Sequence, residues 1–421
     1  MKKIFPFPPG FYFGAATASH QIEGGQNNDW TKWEKANAQR LARESEEAFR
    51  WNPHWSKFKN EATDPKNYVS GKACDSWNRY EEDFNLINFL GLSAYRFSIE
   101  WSRVEPVEGK FDESAISRYR GMIRSLRSRK IEPFMTIWHW TLPNWLAERG
   151  GILARDFPEK FRLYAEKVSR ALGRDVKFWI TLNEPTILAS HAYLYGFWPP
   201  QKKSLFLYFR AIKSLIKAHK LAYEAIRRNL VDAQVGIASH QVAFQTLRPT
   251  LVNKLLKKIA DWFVNSMFLR RIRKHQDFIG LNHYNRNVIN NGFGKNPNIE
   301  QTDFGWEFHP ESIHQALIEL KKYHRPIYIT ENGLADAFDT IREKFIVRAL
   351  ASVSNAIKDG VDVRGYFYWS LLDNFEWDKG FWPRFGLVKV DPKTQERTVR
   401  DSAYVYKTIA EDRQVEADFM I

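Results

Sequence analysis

Cysteine is nearly absent from this sequence, because Cys74 is the only one among 421 residues. A single thiol excludes an intrachain disulfide framework and a metal site built from several cysteines. Nothing near Cys74 in the sequence indicates a stabilised thiolate, so we expect this residue to be buried and chemically inert. A free thiol is also typical of a reducing compartment, which favours a cytoplasmic location.

The sequence also lacks an uninterrupted apolar run of the length that a membrane-spanning helix needs. Two lysines precede an apolar stretch at the N-terminus, and residues 15–18 superficially resemble a signal-peptidase cleavage site. However, Pro6, Pro8 and Pro9 interrupt that stretch, and proline breaks a helical apolar run. We therefore expect a soluble protein that stays in the cytoplasm.

Sequence signatures of metal and nucleotide binding are missing as well. The chain has no HExxH sequence and no closely spaced histidines of the kind that bind zinc. No GxGxxG sequence or P-loop follows any predicted strand, which argues against a nucleotide cofactor. We therefore predict an activity that needs neither a metal nor an organic cofactor.

Apolar and aromatic residues, in contrast, are abundant, at 44% and 15% of the chain. Short apolar segments alternate with amphipathic stretches such as Glu159–Leu172 and Ile341–Lys358, which is typical of parallel βαβ units. No linker or low-complexity segment divides the chain, so we predict one catalytic domain over residues 1–421. Eight repeats of strand and helix predict a single (β/α)8 TIM barrel of the α/β class. The predicted strands are Phe11–Ala16, Ala94–Ile99, Pro133–Trp138, Phe178–Leu182, Gln234–Ser239, Phe278–Asn282, Ile327–Thr330 and Gly365–Trp369.

Polar residues follow the predicted strands, at the end of the barrel that carries the active site in such folds. They are Gln21, Glu23, Glu100, His139, Asn183, Glu184, His240, Asn282, His283, Glu331, Asn332, Asp373 and Glu376. Glu184 and Glu331 stand out because each follows an apolar run and lies beside an asparagine. Strands four and seven are nearly opposite in an eight-stranded barrel, so we expect these two carboxyl groups to face each other. Glycosidic bonds are broken by such a pair, and a separation of about 5 Å gives retention of configuration.

Seven motifs, in order along nearly the whole chain, resemble those of glycoside hydrolase family 1. The first two are FYFGAATASHQIEG at residues 11–24 and YRFSIEWSR at residues 95–103. The others are HWTLP at 139–143, TLNEP at 181–185, NHY at 282–284, ITENG at 329–333 and WSLLDNFEW at 369–377. The resemblance implies a β-glucosidase-like retaining β-glycosidase that binds a small β-glycoside or oligosaccharide.

The resemblance implies a role for each matching residue. Glu331 would be the nucleophile and Glu184 the general acid/base, with Asn183 on the sugar 2-hydroxyl. Arg96 and Tyr284 would lie beside Glu331 and keep it ionised, because a cation and a hydroxyl donor both favour a carboxylate. The charge of Glu331 would in turn favour a proton on Glu184. The remaining residues are Gln21, His139, Glu376, Trp377 and Phe385 around the sugar, Trp369 as its stacking floor, and Asn282 as catalytic support.

Two positions distinguish members of the resembled family that act on different substrates. Plant thioglucosidases have glutamine at the acid/base position, whereas this chain has Glu184. The 6-phospho-β-glycosidases usually carry serine where this chain has Glu376, and a carboxylate there would repel a phosphate. We therefore expect unphosphorylated glucosides as substrates, with galactosides and fucosides as further candidates. Two alternatives stay open: a transglycosylase with the same mechanism, and a carbohydrate-binding homologue without activity, for which the two glutamates would not be needed.

The chain departs from the resembled family in two places. Residues 261–268 run almost directly into residues 277–280, where the family usually has a few dozen more residues. We expect this deletion to expose part of the barrel side or to favour association with another subunit, such as a homo-oligomer. The segment Ala36–Lys72 is unusually polar and matches no family motif, so the aglycone specificity does not follow from the sequence.

Positive charge is concentrated in one region. The formal net charge is +14, and residues 202–274 hold 16 Lys and Arg against three Asp and Glu. Lys213–Arg228 and Lys254–Lys274 are predicted amphipathic helices. The apolar side chains expected on one face of the second are Leu255, Ile259, Trp262, Phe263 and Phe268. One interpretation is two outer helices with solvated basic faces; the other is weak, salt-sensitive binding to an anionic surface such as lipid, without specific recognition of nucleic acid.

Overall fold

The computed structural model of the chain describes residues 3–417 and contains a closed barrel of eight parallel strands, labelled β1 to β8. Strands that follow each other along the chain pair side by side, and β8 pairs with β1 to close the barrel. The strands are β1 (Tyr12–Ala16), β2 (Ala94–Ser98), β3 (Glu132–Trp138), β4 (Phe178–Asn183), β5 (Gln234–His240), β6 (Ile279–Asn282), β7 (Ile327–Asn332) and β8 (Val363–Trp369). Residues 1–2 and 418–421 of the predicted domain lie outside the described residues.

Helices labelled α1 to α8 surround the barrel, one after each strand. They are α1 (Ser76–Phe89), α2 (Glu113–Ser128), α3 (Phe157–Leu172), α4 (Leu205–Asn229), α5 (Leu251–Ala260), α6 (Ser312–Leu320), α7 (Arg342–Lys358) and α8 (Asp401–Asp412). Further α-helices span Ser19–Ile22, Asp29–Phe49, Trp55–Ala62, Trp101–Val104, Asn144–Glu148, Pro185–Ala189 and Met267–Ile272. Short 3₁₀ helices span Pro65–Tyr68, Gly151–Leu153, Gly173–Asp175, Lys321–Tyr323 and Trp377–Lys379, and π turns span Ser190–Tyr195 and Asp261–Ser266. Outside the barrel, Lys3–Pro6 pairs with Gln414–Ala417, Ala243–Thr246 with Arg286–Ile289, and Val388–Val390 with Arg397–Val399.

Helix α2 illustrates how the sequence builds these outer elements. Asp112 caps its N-terminus by accepting hydrogen bonds from the backbone N–H groups of Ser114 and Ala115, at 2.8 and 3.1 Å. Apolar residues then recur at helical spacing, and both Ile116 and Ile123 are fully buried. The helix thereby packs its apolar stripe against β3.

Aromatic rings fill the barrel interior near the amino ends of the strands. Phe134 of β3 and Phe178 of β4 stack with ring centroids 4.1 Å apart. Tyr328 of β7 lies edge-on to both rings, at 5.1 and 5.3 Å, and Phe367 of β8 lies 4.6 Å from Phe134. Because these aromatic rings fill the barrel near the amino ends of the strands, a pocket within the barrel opens at the carboxyl ends.

The observed barrel confirms the fold predicted from the sequence, since each strand begins and ends within two residues of its predicted position. The helices predicted over Glu159–Leu172 and Ile341–Lys358 agree equally well with α3 and α7. Cys74 is buried, and burial raises the pKa of its thiol well above the usual value. Within residues 3–417, no helix is both long enough and apolar enough to cross a membrane.

The helix predicted over Lys254–Lys274 is confirmed in extent, because helical residues run without a break from Leu251 to Ile272, but it is not a uniform α-helix. Helix α5 gives way to a π turn over Asp261–Ser266 and then to a short helix over Met267–Ile272. A π turn holds more residues per turn than an α-helix, so it rotates the following side chains relative to the preceding ones. The apolar residues predicted for one face therefore diverge: Leu255 is 59% exposed, whereas Phe268 is buried.

Candidate active site

The two glutamates lie at the carboxyl ends of β4 and β7 and line one cavity of about 370 Å³. Glu184 directly follows β4 and adopts a left-handed backbone conformation, with φ 40° and ψ 57°. This conformation is strained for a residue with a side chain, and such strain is concentrated at functional sites. Pro185 begins a helix immediately afterwards. Glu331 lies within β7 itself, so both carboxyl groups are held by the rigid barrel.

Each carboxylate oxygen of Glu331 has a hydrogen-bond donor. Nη1 of Arg96 lies 2.5 Å from Oε1, and the hydroxyl of Tyr284 donates to Oε2 at 2.7 Å. Arg96 is fully buried on β2, where its Nε donates to the hydroxyl of Thr136 at 3.1 Å. The two donors stabilise the ionised form of Glu331 and hold its carboxylate in one orientation.

Burial opposes this stabilisation and raises the pKa of Glu331 to about 7. The nearby charge of Glu184 adds to the rise, whereas Arg96 and Tyr284 lower the pKa. From the sequence we expected only the two contacts that lower this pKa, whereas burial raises the pKa by more than these contacts lower it.

Glu184 has a different set of neighbours. Nδ2 of Asn282 donates to Oε1 at 2.8 Å, and Nδ1 of His240 lies 3.4 Å from the same oxygen. Thr330 orients the amide, because its hydroxyl donates to Oδ1 of Asn282 at 2.7 Å. Within the described part of the chain, Glu184 forms no ion pair with an arginine or lysine. His240 was predicted only as a polar strand end, so its position beside Glu184 is new information from the structure.

Asn183 connects the surroundings of both glutamates. Its Oδ1 accepts hydrogen bonds from Arg96 at 2.7 Å and from Asn282 at 3.2 Å, and its Nδ2 lies 3.0 Å from Nε2 of His139. Because an amide N–H can only donate, Nε2 of His139 is the acceptor and the ring proton belongs on Nδ1. Burial, with the charge of Arg96, holds the pKa of His139 well below its usual range, so the ring is neutral. That Nδ1 is buried without a hydrogen-bond partner among residues 3–417, which leaves a donor for a ligand.

Glu376 also lines the cavity, and Gln21 holds it in place. Nε2 of Gln21 donates to Oε2 of Glu376 at 3.2 Å and to the backbone oxygen of Phe375 at 2.8 Å. Burial raises the pKa of Glu376 to about 8, and the charges of Glu331 and Asp378 add to this rise. Oε1 of Gln21 is buried and has no partner in the described region, which leaves an acceptor for a ligand.

Aromatic side chains form the walls of the cavity, including Trp369, Trp377 and Phe385 from the predicted set. The imidazole of His139 lies nearly parallel to two of them, with ring centroids 6.0 Å from Trp369 and 5.8 Å from Trp377. Five further aromatic residues that were not predicted from the sequence also line the cavity: Trp140, Phe197, Trp198, Phe304 and Trp306. Trp140 belongs to the HWTLP motif and could have been identified from it, whereas the others lie outside the matched motifs.

Several polar residues at the strand ends support the scaffold instead of the cavity. Glu23 forms an ion pair with Arg103 at 2.9 Å, and Asp373 forms one with Arg400 at 2.9 Å. The buried carboxylate of Glu100 accepts hydrogen bonds from three hydroxyl groups. Position at a strand end therefore does not distinguish a pocket residue from a structural one.

The polar segment Ala36–Lys72 supports the pocket loops that follow β6 and β8. Oδ1 of Asn67 accepts hydrogen bonds from the backbone N–H groups at positions 381 and 382, at 2.8 and 3.0 Å. Nδ2 of Asn52 donates to the backbone oxygen of Asp303 at 2.8 Å. Phe58 stacks on Trp382 with centroids 4.0 Å apart. The segment therefore braces the loops that carry the outer aromatic residues of the cavity.

Two carboxyl groups that share a cavity but differ in their partners can supply both an attacking group and a proton donor. This is the chemistry of O-glycoside hydrolases, and the molecule is an enzyme of that class. The chain belongs to glycosyl hydrolase family 1, because the sequence profile of that family matches residues 3–251 and 248–415.

Individual relatives narrow the class further. The chain is 37% identical to the β-glycosidase from Pyrococcus horikoshii, with a TM-score of 0.87 over 99% of this chain and 97% of that one. It is 30% identical to the β-glucosidase from Thermotoga maritima in complex with glucoimidazole, with a TM-score of 0.85 over 97% of this chain and 99% of that one. The 1,4-β-D-glucan glucohydrolase from Thermotoga neapolitana is 32% identical, over 97% of this chain and 98% of its own length. The protein is therefore a β-glycosidase.

Proposed function

We propose that the protein hydrolyses β-glucosides with retention of configuration, with Glu331 as the nucleophile and Glu184 as the general acid/base. The observation that carries this assignment is the difference between the neighbours of the two glutamates. Glu331 accepts hydrogen bonds from Arg96 and Tyr284, which stabilise an attacking carboxylate. Glu184 meets the neutral amide of Asn282 and has no arginine or lysine partner within residues 3–417, so a proton on its other oxygen is tolerated.

In the first half of the proposed reaction, Glu331 attacks the anomeric carbon while Glu184 gives its proton to the glycosidic oxygen. A bond forms between a carboxylate oxygen of Glu331 and the sugar carbon. The electron pair of the glycosidic bond leaves with the aglycone, which takes up the proton. Glu331 loses its negative charge in this step, and this removes the repulsion that favoured a proton on Glu184.

In the second half, the ionised Glu184 removes a proton from a water molecule on the side that the aglycone has left. The water oxygen bonds to the anomeric carbon, and the electron pair of the ester bond returns to Glu331. The products are a free sugar in its β form, a protonated Glu184 and an ionised Glu331. Two inversions at the same carbon give the net retention.

The sugar-binding roles are proposed from groups that surround the cavity and have spare hydrogen-bonding capacity. The Nδ1 donor of His139 and the Oε1 acceptor of Gln21 are both buried without a partner in the described structure, and a sugar hydroxyl can pair with either. Glu376 is proposed to accept from the 4- and 6-hydroxyls, which admits glucose and galactose, with fucose as a weaker candidate. Trp369 would support the sugar ring from below, and Asn183 would bind the 2-hydroxyl.

A glucose preference has independent support from the relatives, which include a 1,4-β-D-glucan glucohydrolase and a β-glucosidase in complex with glucoimidazole. The test is to follow the hydrolysis of 4-nitrophenyl β-glucoside by NMR, with and without an added acceptor sugar. β-Glucose should be the first product, and α-glucose would contradict retention. Transfer to the acceptor in preference to water would identify a transglycosylase instead.

A further inference from the structure

An exposed apolar surface lies on α4 and α5, outside the catalytic cavity. Eight large apolar side chains there are between 39% and 86% exposed. They are Leu205, Phe206, Phe209, Leu251, Val252, Leu255, Ile259 and Trp262, and we call them the α4/α5 surface. None of the eight lines the cavity of Glu184 and Glu331. A contiguous set of this size is uncommon on a soluble domain and marks an interaction site.

The α4/α5 surface is continuous across the two helices. Val252, Leu255 and Ile259 on α5 recur at intervals of three or four residues, which places them on one stripe of the helix, and Trp262 follows at the start of the π turn. Phe263 in the π turn joins the two parts, because its ring centroid lies 6.2 Å from that of Phe209 and 6.5 Å from that of Trp262. The stripe on α5 and the exposed rings of α4 therefore form a single face.

The opposite face of α5 packs on the small sheet outside the barrel that Ala243–Thr246 and Arg286–Ile289 form, with Asn253 and Ala260 both buried. Nδ2 of Asn253 donates to the backbone oxygen of Arg248 at 2.9 Å, and its Oδ1 accepts from the backbone N–H of Asn291 at 2.8 Å. The helix would have to break these hydrogen bonds to turn its apolar stripe inward. The outward position of the stripe is therefore a fixed property of the fold.

Basic side chains surround the stripe. Nine of the exposed basic residues on or beside the same elements are Lys202, Lys203, Arg210, Lys213, Lys254, Lys258, Arg270, Arg273 and Lys274. Within residues 3–417 none of these nine forms an ion pair with a carboxylate, although Lys257 lies 3.6 Å from Glu319. A groove of about 710 Å³ runs beside α5, and a second one of about 600 Å³ lies beyond it, next to the helix Met267–Ile272; Arg270 and Lys322 line both. The face is thus apolar at its centre and positively charged around it.

The charge and the apolar side chains of this face distinguish between three kinds of binding partner. A second copy of the chain would bring the same unpaired cations against each other, which opposes association through this face. Nucleic acid matches the charge, and the exposed rings of Phe206, Phe209 and Trp262 can stack on bases. The five aliphatic members of the surface, however, offer neither hydrogen bonds nor rings to a base, so most of the apolar area would stay uncovered. An anionic bilayer matches both properties, because apolar side chains enter its interface while Lys and Arg contact the headgroups.

We propose that the α4/α5 surface binds anionic lipid bilayers. Leu255, Ile259 and Trp262 insert into the interface between headgroups and acyl chains, and Lys254 and Lys258 contact lipid phosphates. The helix lies in the plane of the membrane, held by the small sheet behind it. Binding is reversible and salt-sensitive, and the catalytic cavity stays outside the contact.

The test is co-sedimentation with vesicles of phosphatidylcholine alone or mixed with phosphatidylglycerol. The protein should sediment with the mixed vesicles at low salt and be released in about 1 M salt, where the Debye length is about 3 Å. The double change Leu255→Ser with Ile259→Ser should weaken binding by about tenfold or more. The double change Lys254→Glu with Lys258→Glu should weaken it as well, because it replaces two attractions by repulsions.

Two control variants test whether a loss of vesicle binding is specific to substitutions in the α4/α5 surface. Ile299 is 92% exposed and Lys393 is exposed, and neither belongs to the α4/α5 surface. Ile299→Ser and Lys393→Glu should bind vesicles like the original chain. All four variants should keep their activity on 4-nitrophenyl β-glucoside, which verifies that they fold.

Four results would overturn the proposal. These are equal sedimentation with neutral vesicles, no sedimentation with anionic vesicles at low salt, equal loss in the control variants, and retention on heparin without vesicle binding. A dimer in solution that separates on the double change Leu255→Ser with Ile259→Ser would assign the surface to a second copy of the chain. These results are independent of the assignments of Glu184 and Glu331.

Discussion

Nη1 of Arg96 lies 2.5 Å from Oε1 of Glu331, and Nη2 of the same guanidinium donates to Oδ1 of Asn183 at 2.7 Å. One buried cation thus connects the proposed nucleophile with the residue proposed to bind the sugar 2-hydroxyl. Guanidinium donors have a fixed planar geometry, so the position of one group constrains the position of the other. The contact that stabilises the attacking charge therefore also sets where the sugar lies relative to that charge.

Replacing Glu331 by alanine should reduce kcat by about 10⁴-fold or more, because no covalent intermediate can form. A 2-deoxy-2-fluoro-glucoside with a good leaving group should label Glu331 in the original chain, and peptide mass spectrometry would locate the label. Glu343→Gln, a change of an exposed carboxylate on α7, should keep full activity. A label on another carboxylate would refute the assignment.

Replacing Glu184 by glutamine should slow substrates with poor leaving groups most, because these depend on protonation, which contributes about 10²- to 10⁴-fold. Activated dinitrophenyl glucosides should still form the intermediate and then release sugar slowly. Added azide should restore turnover and yield the β-glucosyl azide. The measurement is steady-state kinetics over a series of aryl glucosides, and an equal loss for all leaving groups without azide rescue would contradict the role.

The pH profile of kcat/KM should report the raised pKa of Glu331. Glu331 must be ionised to attack, so activity should fall as the pH drops through its pKa, above the value of about 4.3 for an ordinary glutamate. Tyr284→Phe removes a hydrogen bond that lowers this pKa, so the acidic limb should move to higher pH, by about one to two units.

Tyr404→Phe, which changes an exposed tyrosine on α8, provides the matched control for the pH experiment and should leave the profile unchanged. An acidic limb that stays in place or moves to lower pH in Tyr284→Phe would show that the phenol does not stabilise the attacking carboxylate.

Replacing Glu376 by serine should weaken the binding of unmodified glucosides in the transition state. Above the raised pKa of about 8, where Glu376 is ionised, a hydrogen bond to this charged group is worth about 1.5–3 kcal/mol, so kcat/KM measured there should fall by about 10- to 100-fold. The loss should be larger for a glucoside than for its 4-deoxy analogue, which lacks a proposed partner of this carboxylate. Equal losses on the two substrates would place the side chain away from the 4-hydroxyl.

The sequence predicted the barrel well because apolar strand segments and amphipathic helices follow local periodicities. It also identified the paired glutamates, Arg96 and Tyr284 through motifs at strand ends. It did not predict His240 as a neighbour of Glu184, nor Trp306 in the cavity wall, because loop paths depend on tertiary contacts. The sign of the pKa shift of Glu331 was missed for a related reason, since burial is a property of the whole fold.

The bracing of the pocket loops by the segment Ala36–Lys72 has a consequence for how such an enzyme can diversify. The proposed nucleophile and acid/base lie at the ends of barrel strands, whereas the outer aromatic wall lies on loops held by Asn52, Phe58 and Asn67. Mutations in this one stretch can reshape the entrance and leave the bond-breaking geometry intact. Aglycone specificity can therefore change during evolution while the positions of the two carboxyl groups stay the same.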